Sequence, residues 1–148
     1  MGIYCPCGVY VDAHSEINHI QKIVKCKCRI IKKVIRSRLS YLADICSTTL
    51  ETSTLSLTYE DIQAPSNSFF FKANSITSVI CRQEGQICIV TVKGTGIVKG
   101  QQFPFEAVFC EGMEQSSSIV QKFVIHGFFD QNDPLPVSQG TIVTRGCQ

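Results

Sequence analysis

Residues 17–46, INHIQKIVKCKCRIIKKVIRSRLSYLADIC, decide how the chain is read. Ile17, Ile20, Val24, Cys28, Ile31, Ile35, Leu39, Leu42 and Cys46 recur at intervals of three and four, the spacing of one face of an α-helix. Ile23, Ile30, Val34, Tyr41 and Ile45 widen that stripe, and Asp12 or Ser15 is placed to cap its start. The β-branched residues each cost a few tenths of a kcal/mol in helix propensity, while a buried stripe residue returns roughly 1.5–3 kcal/mol. Packing against a second layer would therefore hold the segment, and the expectation is a long amphipathic N-terminal helix.

The same region is where the charge is. The net charge of +2 hides a division: residues 1–38 hold eight Lys and Arg against two acids, while the remaining 110 hold six against ten. Lys22, Lys25, Arg29, Lys32, Lys33 and Arg36 lie mainly off the apolar stripe and form a candidate basic surface. A solvated helix face is the plain reading, since amphipathic helices turn their charges to water. Contact with RNA phosphates is the sharper one, although no aromatics are interleaved as a single-strand binder would need. No membrane partner is expected, because the apolar face of such a helix has neither Trp nor Phe.

From residue 54 the period changes to two. Residues 54–60, 75–83, 86–98, 103–110 and 119–129 read as strands, with 69–71 as a short apolar run and turns at 84–86 and 99–101. Short turns between long strands make an antiparallel meander, since parallel neighbours need long crossovers. Phe103, Phe105, Ala107 and Phe109 share one face, and Phe123, Ile125 and Phe129 share another. Apolar residues on both faces suggest one face for the helix and a second for a partner. Phe105, Phe109, Phe123, Ile125 and Phe129 are the candidate core or interface residues.

At 148 residues the chain suits one domain, divided as an N-terminal extension (1–13), the domain proper (14–130) and a loosely held tail (131–148). No uncharged apolar run approaches the roughly 18 residues of a membrane helix, and the first residues lack the basic start of a secretory signal. Nine cysteines are then expected to be reduced. Cys5 with Cys7 and Cys26 with Cys28, with His14 and His19 between, invite a zinc site. One intervening residue is too few for the common knuckle, and no metal or cofactor is expected.

Catalytic signals are sparse. His126 is the only histidine beyond residue 19 and has no Asp or Cys partner visible in sequence. Gly94, Gly96 and Gly100 miss dinucleotide-loop spacing and sit in an alternating strand, so a bulge or bend is the better reading. The chain is expected not to be an enzyme.

Local motifs resemble those of the nuclear transport factor 2-like family. RSRLSYL (36–42) resembles its R-x-x-L-x-x-L, and LTYED (57–61) resembles its L-x-W-[EN]-G. ITSV (76–79), IVTVKG (89–94), FEAVF (105–109) and KFVIH (122–126) follow in the family's order. The resemblance implies an α+β fold, a long N-terminal helix packed on a curved antiparallel β-sheet. It further implies nucleocytoplasmic transport, closest to the messenger-RNA-export branch, by sheet-mediated dimerisation in the nucleus, cytoplasm and nuclear envelope. The implied partners are a large export receptor with a similar domain, a second copy of the chain, and nucleoporins. The alternatives are a small-molecule enzyme on the same cone, using His126 and a carboxylate, or an RNA-associated scaffold.

Overall fold

Leu39, Tyr41, Ala43 and Ile45 are all buried, while Arg38, Leu42 and Asp44 on the alternate positions are exposed and Ser40 is half-buried. That is period two, not 3.6, and it overturns the expected helix. The computed structural model describes residues 5–26, 29–112, 118–132, 134–137 and 139–147, with 17–26, 29–35 and 139 described by backbone alone. Residues 17–26 and 29–46 belong to a β-hairpin of β1 (Gly8–Cys26) and β2 (Arg29–Cys46). The α+β expectation is corrected to an antiparallel β-fold. Its helical pieces, among the described residues, are the three-residue 3-10 turns Leu50–Thr52 and Pro65–Asn67.

The physical reason lies in the density of the segment. Sixteen of its thirty residues are apolar, so positions at three-and-four spacing can be picked out whatever the true period. Leu42 belonged to that helical stripe, and it is 53% exposed. Nine Ile and Val in the same segment favour the pleated backbone, where branched side chains pack well.

After the hairpin come β3 (Thr54–Asp61), β4 (Phe69–Glu84), β5 (Ile87–Val98), β6 (Gln101–Glu111) and β7 (Ile119–Ile125), each antiparallel to its predecessor. The run 69–71 and the strand at 75–83 are thus one strand, β4, with register shifts near Ala73 and Ile76. β8 (Phe129–Gln131) and β9 (Leu135–Pro136) line the outer edge of β7, and β10 (Gln139–Arg145) pairs with β1. Residues 8–13 and the C-terminal segment are therefore strands of the same sheet. Ser15 Oγ donates to the Pro136 carbonyl at 2.8 Å, and Glu111 Oε1 accepts from the Thr144 amide and hydroxyl at 3.0 and 2.8 Å. These bonds join the two edges of the meander into a barrel-like shell.

A single core fills that shell. Val9, Val11, Leu39, Leu57, Val90, Val92 and Ile142 line it with Phe71, Phe105, Phe109 and Phe123. Gly96 shows how tightly the core is packed: a Cβ there would stand 2.2 Å from the Phe71 ring, so only glycine lets that ring lie on β5. At the β5–β6 turn Lys99 and Gly100 both have positive φ, 51° and 79°, as a two-residue hairpin requires.

Cysteine chemistry also departs from expectation. Six of the nine thiols are paired, Cys5–Cys46, Cys7–Cys81 and Cys88–Cys147. Cys110 is a buried free thiol, its Sγ donating to Gln121 Oε1 at 3.0 Å, and burial pushes its pKa up. The side chains of Cys26 and Cys28 lie outside the described residues.

Candidate functional site

In an antiparallel meander alternate connections fall at the same end. The β2–β3, β4–β5 and β6–β7 connections share one end, where the three disulfides gather Cys5, Cys7, Cys46, Cys81, Cys88 and Cys147. The β1–β2, β3–β4, β5–β6 and β7–β8 connections share the other. One end of the barrel is covalently locked, and the other carries the exceptional features.

The first of these is the arm. β10 pairs with β1 only as far as His14, and β3 pairs with β2 only from Ser37. Between Ile17 and Ile35 the described backbone pairing is of the two strands with each other. Ten residues of β1 past Glu16 correspond to a reach of about 30 Å. At the foot of the arm Glu16, Arg38 and Glu60 stand in register on three strands. Arg38 Nη2 lies 3.3 Å from Glu16 Oε1 and its Nη1 lies 3.7 Å from Glu60 Oε2. Its charge is thereby matched locally.

Above that ring the balance is one-sided. Residues 17–37 contain seven of the chain's fourteen Lys and Arg and no acid. The predicted basic residues Lys22, Lys25, Arg29, Lys32, Lys33 and Arg36 are thus brought together, on a two-stranded ribbon instead of a helix face. The register sets Lys22 directly opposite Lys32, and Gln21 opposite Lys33. Like charges facing each other across a strand pair destabilise it.

The second feature is aromatic. Tyr59 stacks on Phe69 at 5.2 Å, and Phe69 meets Phe128 and Phe129 edge-on at 4.9 and 5.3 Å. Phe103 completes the group against Phe128, and Lys99 Nζ stands 6.0 Å from the Phe128 centroid. Phe70 and Phe128 remain 54% and 37% exposed. The β3–β4 turn that carries part of this cluster is held by Asp61, whose Oδ1 accepts from the Gln63 and Ala64 amides at 3.1 and 2.9 Å. Only the runs 69–71 (FFF) and 128–129 (FF) signalled this cluster in sequence.

The remaining predicted residues divide. Phe105, Phe109, Phe123 and Ile125 lie in the core, and Phe129 is half-buried against Tyr59 and Phe69. His126 is exposed at the β7–β8 turn, its amide donating to the Pro104 carbonyl at 2.9 Å. It lines a shallow depression of about 310 Å³ with Phe128 and Asp130, outside the core. Glu106 is the carboxylate nearest to chemistry, but it is bound by Lys122 at 3.0 Å and by Lys93 at 3.7 Å. The Lys122 hydrogen bond, followed by the surrounding positive charge, holds its pKa below the usual carboxylate range. Among the described residues no three His, Cys, Asp or Glu are grouped as a metal site would need. Comparison with known proteins returns no matching family model, no matching curated protein and no matching solved structure.

Proposed function

We propose that this chain is a non-enzymatic binding protein of an oxidising compartment, which holds an anionic partner with its β1–β2 arm. One observation carries the reading: six of the chain's fourteen Lys and Arg fall within residues 17–35, a stretch that contains no acid and whose described backbone pairs only between β1 and β2. A potential of one sign concentrated on a projecting element attracts and orients partners of opposite charge. Three disulfides fit an environment where thiols stay oxidised. The transport reading drew on a long N-terminal helix packed on the sheet as well as on local motifs, and that helix is replaced by the β1–β2 hairpin. A small-molecule enzyme needed a chamber between helix and sheet, and the shell is instead filled by Phe71, Phe105, Phe109 and Phe123.

The test is a titration with dextran sulfate, read by isothermal calorimetry at about 50 and about 200 mM salt. Binding is expected to weaken steeply with salt, because the screening length falls from about 14 Å at the lower strength to about 7 Å at the higher. Replacing residues 19–35 by Asn-Gly, which closes a two-residue hairpin on the Asn18–Arg36 pair, removes six of the seven arm cations and should abolish binding. Undiminished binding by that variant would refute the assignment.

A further inference from the structure

We infer that the anionic partner is a lipid bilayer surface, on which the arm lies with its cations at the headgroups and its aliphatic residues at the acyl boundary. The inference rests on the proposed role of the arm and adds the identity of the partner. Charge alone does not distinguish a bilayer from a soluble polyanion; the rest of the arm does. Residues 17–35 contain eight Ile and Val beside the cations. The register sets them against one another: Ile20 opposite Val34, Ile23 opposite Ile31, Val24 opposite Ile30.

A two-stranded ribbon has no second layer of its own, and such hairpins are marginal in water without an apolar surface to pack on. No third strand is paired to residues 17–35 among the described residues. A sulfated or phosphorylated polymer in solution would engage the Lys and Arg and offer nothing to the eight Ile and Val. A bilayer interface takes up both kinds at once.

An independent observation lies beside the arm. Phe70 and Phe128 are the exposed aromatics of the same end of the barrel, and Lys99 approaches the Phe128 ring. Phe beside Lys or Arg is a combination that elements lying in the headgroup boundary carry, the ring entering the acyl side and the cation staying at the headgroups. Read as a helix, the segment has no aromatic on its apolar face and gives no reason to expect a membrane. As a ribbon it shares one end of the molecule with two phenylalanines contributed by β4 and the β7–β8 turn. Crossing the bilayer is not implied, since seven cations within 21 residues suit the interface and not the interior.

The experiment is co-sedimentation of the full chain with vesicles of phosphatidylcholine alone and with about one third phosphatidylglycerol, beside the dextran sulfate titration. Binding is expected only to the anionic vesicles. Lys22→Gln, Lys32→Gln and Lys33→Gln together should weaken it on the order of 100-fold, at about fivefold per cation near an anionic surface. Ile23→Ser with Ile31→Ser should weaken vesicle binding while leaving the dextran sulfate affinity unchanged. Arm-dependent binding to dextran sulfate without binding to anionic vesicles would overturn the bilayer and leave the polyanion role standing. Binding to neither would overturn both. Vesicle binding indifferent to the serine variant would remove the aliphatic contact and with it the inference.

Discussion

Glu106 on β6 takes a hydrogen bond from Lys122 on β7 and faces Lys93 on β5, so one carboxylate ties three adjacent strands. Its pKa is lowered in the folded state, chiefly by the Lys122 bond. A depressed carboxylate contributes stability that is fully present above the unfolded value near 4.3, and that contribution is lost as pH falls through the folded value. Glu106→Gln should therefore cost about 0.5–1 kcal/mol at pH 7, the range of a partly exposed ion pair, and the difference should vanish in strong acid. Urea unfolding of both proteins from pH 7 down to pH 2 checks this, and a difference that grows on acidification would contradict the ion pair. Sequence showed Glu106 on the outward face of its strand, opposite Phe105 and Ala107. It did not show Lys122, because cross-strand neighbours depend on a register displaced by the irregularity between Val108 and Phe109.

At the scale of the element, strands were legible wherever polar and apolar residues alternate cleanly, as in β3, β5 and β6. The N-terminal hairpin was not, because too many of its positions are apolar for one period to stand out. The alternation of Leu39, Tyr41, Ala43 and Ile45 was there to be seen, but it was absorbed into a wider helical stripe. The C-terminal segment failed for another reason: its prolines and glycine look like a loop. Gly140 has φ 102°, and a Cβ there would stand 2.1 Å from the Asp12 carbonyl oxygen, so the glycine is what admits β10 against β1. Disulfide partners were beyond reach, since six cysteines allow fifteen pairings and topology selects among them. Cys88–Cys147 staples the end of β10 to the start of β5 over 59 residues. Replacing both by Ser should cost roughly 2–5 kcal/mol by freeing the unfolded chain. Guanidinium unfolding measures it, and an unchanged midpoint would mean that the β1 ladder and the Glu111–Thr144 bonds hold the strand without the crosslink.

For the molecule as a whole, the two ends follow different logics. Three disulfides and the phenylalanine core lie in the shell, whereas the described backbone of residues 17–35 pairs only between β1 and β2. Binding and stability should then be separable. The variant with Asn-Gly in place of residues 19–35 should melt within about 3 °C of the parent, a shift worth about 1 kcal/mol for a chain of this size. Reduction of the parent with its arm intact should lower the midpoint by far more, since it releases three long-range crosslinks. Calorimetry on the four samples, parent and variant, oxidised and reduced, decides the matter. A large loss on shortening the arm would mean that the ribbon braces the shell, and its cations would then need a structural explanation before a binding one. Equal melting of parent and variant, beside the loss of vesicle binding, would leave a locked barrel holding out a cationic, aliphatic ribbon that it does not need in order to fold.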